Sequence, residues 1–520
     1  MLSAQRANRQ LVGGVLAIGL LAAGTAMALT ALDGGSDTLD TSGAAAPPDT
    51  APTPATTPGS EPQVPTPPFD EAEAEQMLGL LTLQTLRGTP TAALPTVAAS
   101  GDQRFVSVLI ELMRSMEIGL IPADLYTPVI VGLQELTGEE FVGWPDWVAW
   151  YAATELTPLP GFQDWKADLL AAIDPGFGEF IRGQPATVRV EEVVWGGVRV
   201  DGIPALDQAR QIRPEQADYI SESDLVFGVS INQDHRAYPL RIMDSHEMAN
   251  DVVGGIPVSL AYCTLCGAGI LYDGRLGEVT YTFGSSGLLM RSNKLMYDRN
   301  TRSLWNQLTG RPVLGPLAGE DIELIRFPVV VTTWADWLTA HPDTKVLDIE
   351  TGFNRDYEPG SSYGGYYAAP DPMFPVGGLS EVLRPKDRVY ALLLDDIPVA
   401  YPIDIVIEEM VVNDQVGDTP LVLVAPDGRL RDKGTDRPSG IDVVWQAGAE
   451  VRAFEAGAHI FSQGVDPDTL VDEVGVVWEV TEDALVSAEG ESLGRLPGHL
   501  SYWFGWFSYF PRTLVYGVDA

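Results

Sequence analysis

A chain of 520 residues is longer than one hydrophobic core usually serves, so several structural units are expected. Its 72 Asp and Glu against 32 Lys and Arg leave a formal charge of −40, a field that repels nucleic acid and anionic headgroups and excludes nucleic acid as a partner. Apolar content of 45% is ordinary for globular protein, and two cysteines are too few for a disulfide-stapled scaffold.

The N-terminal segment, 1–32, reads as an address. Arg6 and Arg9 precede a charge-free run, Leu11 to Leu32, with the length of a single bilayer span. Positive residues ahead of it favour a cytoplasmic N-terminus and a body outside the cytoplasm. The run is expected to stay as a single-pass membrane anchor. The alternative is a secreted protein, cut after Ala28 at the Ala26-Met27-Ala28 pattern. Residues 33–68 are rich in Pro, Thr and Ala and read as a semi-rigid stalk.

From 69 to 190 the pattern is helical. Leu78, Leu81 and Leu86 keep helical spacing, Asp102 is placed to cap the next helix, and Val106, Leu109, Ile110 and Met113 share one face. Trp144, Trp147, Trp150 and Tyr151 form an aromatic stripe expected in a core. The segment GDQRFVSVLIELMR is similar to half of a HEAT-type repeat, and a plain bundle fits equally well. Contact with a protein partner, or support of the next unit, is its expected role.

After 190 the texture becomes β-rich, with short β-branched and aromatic runs between Gly, Asp and Asn turns. The expected class is α+β: an all-α region followed by a mainly antiparallel β-rich body with short helices. Asp244 to Val252 and Trp334 to Ala340 are expected as two of these helices. The stretch Ala237–Leu260 aligns without a gap to Ala400–Leu423, with ten of 24 positions identical. A second match pairs Trp334, Trp337, Pro342 and Thr344 with Trp503, Trp506, Pro511 and Thr513. The body therefore reads as two copies, 191–370 and 371–520. Shared residues suggest a frame: a Tyr-Pro strand start, an Asn-Asp turn, a Gly-x-x-Pro turn and a paired-Trp helix. Glu409, Pro426 and Arg429 stand in the second copy where the first has His246, Cys263 and Cys266. Any chemistry is thus assigned to the first copy.

Cys263 and Cys266 follow the apolar run IPVSLAYC and precede Gly267, so the pair is expected on a turn leaving a strand. Three readings fit the residues. In the first, Cys263 and Cys266 do thiol–disulfide or peroxide-type redox chemistry, with His246 moving a proton and Glu247 beside it. In the second, Cys263, Cys266 and His246 hold zinc with an open position, or copper if Met243, Met248 or Met290 contributes. In the third, the cysteines form a structural disulfide in a protein whose role is interaction. FGSSG at Phe283–Gly287 is one residue short of a hydrolase elbow and is expected as a tight loop.

The chain resembles the domain of unknown function 3179 family. The resemblance rests on Asp201-Gly202-Ile203-Pro204, Arg236-Ala237-Tyr238-Pro239, His246-Glu247 with Asn250-Asp251, Tyr262-Cys263 with Cys266-Gly267, and Phe283-Gly284 with Ser286-Gly287-Leu288. It continues through Met296-Tyr297-Asp298-Arg299, Ser303-Leu304-Trp305, Thr332-Thr333-Trp334, His341-Pro342 and Arg355-Asp356-Tyr357. The family carries no established activity. Some members look like selenoproteins at a cysteine of this motif, which implies redox work at Cys263 or Cys266.

Overall fold

A computed structural model describes residues 68–518, apart from 89–91, 427 and 467. The expected anchor or signal segment, and all of the stalk except Pro68, lie outside the described residues. Among the described residues no helix is long and apolar enough to cross a membrane.

The protein is mixed α/β, with helices up to Ile181 and a β-rich body after them. The helix Glu71–Leu80 opens with a capping box in which Asp70 and Glu73 satisfy each other's backbone N–H groups. Asp102 accepts from the Arg104 N–H at the head of a short 3-10 turn that runs into the helix Val106–Glu117. Ten residues of that helix are buried, more than one face. Packing on several sides is how a helix hides so much surface. Trp144, Trp147 and Tyr151 are buried in the helix Trp144–Ala152. A Lys166–Glu111 ion pair at 2.6 Å is buried inside this region.

The helices share one apolar core with the first sheets of the body. That core joins Phe105, Trp147 and Phe180 to Cys263, Cys266, Met296 and Trp305, and also to Tyr502 and Phe504. Phe180 meets Tyr297 with ring centroids 5.3 Å apart, and Arg302 lies over both rings.

Pairing in the body is mainly antiparallel. One sheet runs Arg326–Phe327, Ala268–Asp273, Ile256–Cys263, Met248–Val253 and Leu206–Asp207. A second has Leu225–Ile231 and Asp234–Pro239 at its centre, flanked by Val330–Thr333 and by Lys345–Leu347 with Gln211–Ile212. A third pairs Phe283–Met290 with Val193–Trp195 on one side and Asn293–Asp298 on the other. Towards the C-terminus, Arg388–Leu394 and Ile397–Pro402 centre a four-stranded sheet, and Val411–Val416 with Thr419–Val424 open an eight-stranded one. The hairpin Leu430–Asp436/Ile441–Gly448 stands apart from both.

Several arrangements occur twice. Tyr238 donates to Asp251 Oδ2 at 2.7 Å, and Tyr401 to Asp414 Oδ2 at 2.8 Å. The Asn250 amide brackets Phe283, accepting from its N–H and donating to its carbonyl, and the Asn413 amide brackets Phe461 the same way. Trp337 Nε1 donates to Thr344 at 2.9 Å, and Trp506 Nε1 to Thr513 at 2.8 Å. Lys345–Leu347 lies parallel to Asp234–Pro239, and Leu514–Val515 parallel to Ile397–Pro402.

Four local expectations are corrected. The helix near 244 spans Leu240–His246, earlier than expected, because Glu247 takes the left-handed conformation at φ 57° and stops it. Residues Met248–Val253 then form a strand, so Asn250 and Asp251 are strand residues; the turn falls at Gly254 and Gly255, both with positive φ. Tyr238 and Pro239 end a strand instead of starting one. FGSSG lies within the strand Phe283–Met290, whose register shifts between Ser285 and Leu289.

Candidate functional site: a buried two-thiol turn

Ile256–Cys263 is an inner strand with six consecutive buried residues at its end, as its apolar sequence dictates. It pairs with Ala268–Asp273, and Cys263 faces Ala268 across the ladder. The four residues between them form the turn, with Gly267 at φ 58°, a conformation that suits glycine. The chain direction thus reverses over Thr264–Gly267, and both thiols are free and buried.

The Cys266 N–H points at Cys263 Sγ, 3.4 Å away, as in a backbone knuckle. Asn293 Nδ2 donates to Cys266 Sγ at 3.3 Å, and the Ser292 carbonyl lies 3.5 Å from the same sulfur. Burial works against ionising Cys263, but a hydrogen bond from Cys266, with the backbone N–H groups of Lys294 and Cys266, outweighs burial and the nearby Glu247 charge. The Cys263 thiol is therefore held below its ordinary value. Burial, followed by the interaction with Cys263, pushes the Cys266 thiol well above its ordinary value.

Glu247 comes to this site because the helix Leu240–His246 ends there. Its side chain lies 3.1 Å from Lys294 Nζ and accepts from Thr264 Oγ1 at 3.0 Å and from the Tyr363 hydroxyl at 3.2 Å. Lys294 Nζ also donates to the Glu247 carbonyl at 3.3 Å. Cys263, Glu247, Lys294, Tyr363 and Ser285 line a cavity of about 30 Å³ whose outer rim includes the half-buried Gly196, Val198 and Ile203.

The C-terminal part of the chain closes the other side of the turn. Tyr502 N–H donates to the Cys266 carbonyl at 2.7 Å. A Cβ built at Gly505, on the helix Trp503–Phe507, would sit 3.1 Å from Cys266 Sγ. Arg388 donates to the Gly267 carbonyl at 2.8 Å and lies over the Tyr502 ring, and Tyr366 donates to the Leu265 carbonyl.

His246 does not join this group. Its Nδ1 lies 2.7 Å from the Pro204 carbonyl and its Nε2 lies 2.6 Å from the Tyr357 hydroxyl, so both ring nitrogens are engaged away from the sulfurs. Burial lowers its pKa to about 4. The expected convergence of His246 on Cys263 and Cys266, for proton transfer or as a metal ligand, is thus corrected: His246 closes its helix facing Pro204, while Glu247 turns toward the thiols. Among the described residues no group of three or more His, Cys, Asp or Glu side chains is arranged to hold a metal ion, so the zinc or copper triad is not assembled. Met243 packs in a different core cluster, with Phe227 and Tyr238.

Sequence reasoning singled out Cys263, Cys266 and Glu247 here and missed Lys294, Asn293, Tyr363 and Gly505. A signal existed for two of them. Asn293 and Lys294 open the strand Asn293–Asp298, in which every residue is buried, and a lysine there needs a buried partner. Tyr363 and Gly505 lie far along the chain and carry no such mark.

Fold and site together define a mixed α/β protein with a buried two-thiol turn beside a Lys–Glu pair. Residues 200–513 match the family described as Protein of unknown function (DUF3179), more than half of the chain, and the protein belongs to that family. No curated protein and no solved structure matches the chain.

Proposed function

We propose that the protein is an envelope-anchored, extracytoplasmic thiol oxidoreductase that works by reversible conversion of Cys263 and Cys266 between dithiol and disulfide. The observation that carries this is the geometry of the site: two free thiols on one four-residue turn, with the Cys266 N–H 3.4 Å from Cys263 Sγ, beside a cavity that Cys263 lines together with Lys294 and Glu247; the lowered Cys263 thiol and the raised Cys266 thiol accord with it. A lowered thiol attacks and a protonated neighbour resolves. A Lys–Glu pair at their cavity has no part in a structural bridge. Glu247 and Lys294 set the field around Cys263. His246 is a positioning residue that fixes the helix end from which Glu247 departs.

The recurring Tyr–Asp, Asn–Phe and Trp–Thr contacts support reading the body as a duplicated unit whose second copy has lost the thiols. On this reading the second copy serves as a cover, and Gly505 is small because Cys266 lies beneath it. The helical region braces the first copy and offers a surface to a protein partner. The apolar run at 11–32 and the Pro-rich stalk after it support the anchored placement.

The test is the ultraviolet thiolate absorbance of the purified reduced protein against pH, using Cys263→Ala and Cys266→Ala to separate the two thiols. In Cys266→Ala, Cys263 loses the hydrogen bond that lowers it and titrates higher than in the native protein. Identical titration of Cys263 in both proteins contradicts the reading.

A further inference from the structure

The cavity at Cys263 is very small for a redox site. Its volume of about 30 Å³ compares with the roughly 10–15 Å³ needed for one water, so it holds about two oxygen-sized atoms. Cys263 is 1% exposed and Cys266 fully buried, so neither sulfur is within reach of a protein disulfide or a bulky organic one. The wall is mixed: Leu265, Leu288 and Leu289 are apolar, while Lys294, Glu247, Ser285 and Tyr363 offer polar groups. Two of the three N–H groups of Lys294 are taken by Glu247, which leaves one for a bound oxygen.

We infer that the oxidant of the Cys263–Cys266 pair is hydrogen peroxide, selected by size over organic hydroperoxides and disulfides. The inference rests on the thiol-redox reading above and adds the substrate class. The Cys263 thiolate attacks one oxygen; an S–O bond forms, the O–O bond breaks, and the second oxygen leaves as hydroxide and takes a proton to become water. The Lys294 ammonium, at the cavity, gives that proton and regains the one that Cys263 shed on ionising, so the proton passes from the first thiol to the first water. Cys266 then attacks the Cys263 sulfenic sulfur; an S–S bond forms, the S–O bond breaks, and the departing hydroxide takes up the Cys266 proton as a second water. Two thiols lose two electrons and two protons, and one peroxide is reduced to two waters.

The size limit is assigned to Val198 and Ile203, the half-buried apolar side chains of the cavity lining. The test is single-turnover oxidation of the reduced protein by hydrogen peroxide, by cumene hydroperoxide and by the small disulfide 5,5′-dithiobis(2-nitrobenzoate), with the Cys263–Cys266 bridge counted by peptide mass mapping. The expected result is a bridge formed about tenfold or more faster with hydrogen peroxide than with cumene hydroperoxide, relative to free cysteine. Val198→Ala and Ile203→Ala, made separately so that a folding defect in one leaves the other to be read, narrow that ratio. Equal relative rates for the two peroxides, or a ratio unmoved in a folded rim variant, overturns the size claim. A bridge formed with the aromatic disulfide but not with hydrogen peroxide also overturns it, while leaving the redox reading standing. No bridge with any of the three overturns both.

Discussion

Replacing Lys294 by methionine isolates the group that most distinguishes this turn from an inert one. The ammonium and the Glu247 carboxylate are 3.1 Å apart, and their side chains are only 4% and 8% exposed. At an effective dielectric of about 20, Coulomb's law gives about 5 kcal/mol for that separation. Desolvation of both ions offsets much of it, so the pair adds little net stability, but its rupture is costly. Lys294→Met leaves a buried carboxylate held by the Thr264 and Tyr363 hydroxyls alone. The expected loss is about 3–5 kcal/mol, read as a fall in the urea midpoint at pH 7. The double variant Glu247→Gln/Lys294→Met removes both charges and should return to within about 1 kcal/mol of the native protein. A single variant costing under about 1 kcal/mol, or a double variant as damaged as the single, refutes the claim that a charged pair is buried beside Cys263.

Gly505→Ala places a methyl 3.0 Å from Cys266 Cβ and 3.1 Å from its Sγ; we expect a loss of about 1–3 kcal/mol by thermal denaturation, and unchanged stability with unchanged thiol reactivity counts against the covering role of this helix. Asp244 is buried, and burial raises its carboxyl from 3.8 to about 7. The folded state therefore prefers the protonated form, and its contribution is complete below 3.8 and lost as pH rises through 7. Asp244→Asn should then gain up to about 4 kcal/mol over the native protein at pH 8 and about nothing at pH 3.5, by denaturant titration at each pH; no gain at pH 8 defeats the reading. Tyr238→Phe and Tyr401→Phe each remove one hydrogen bond to a carboxylate. Equal losses of about 1.5–3 kcal/mol are expected from the two, and a large cost at only one site argues against equivalent frames.

Much of the frame could be read from the chain because it rests on short-range pattern. IPVSLAYC declares a buried strand, the glycine after Cys266 declares a turn, and Trp147 lies in a core as its helical stripe suggested. The failures came where one residue's backbone decides. Glu247 in a left-handed conformation ends a helix that propensity would carry further and sends His246 and Glu247 in different directions. Scarcity made His246 look chemical, yet its two nitrogens are spent on Pro204 and Tyr357, 42 and 111 residues away in sequence. The cover of the thiol turn was invisible for a similar reason. Tyr363, Arg388 and Gly505 reach it across long stretches of chain, and no local pattern encodes such contacts. Lys294 could have been found, since a lysine in a wholly buried strand requires an explanation.

The most direct measurement of the central claim is the thiol–disulfide state of the native chain titrated with hydrogen peroxide and then with borohydride, quenched with acid and mapped by mass. A redox pair at Cys263 and Cys266 predicts one two-electron change, complete at one peroxide per chain and reversed by the reductant, with the loss of two hydrogens confined to the peptide that carries both cysteines. A pair that stays reduced at every peroxide ratio, or a bridge that once formed resists reduction in the folded protein, contradicts it.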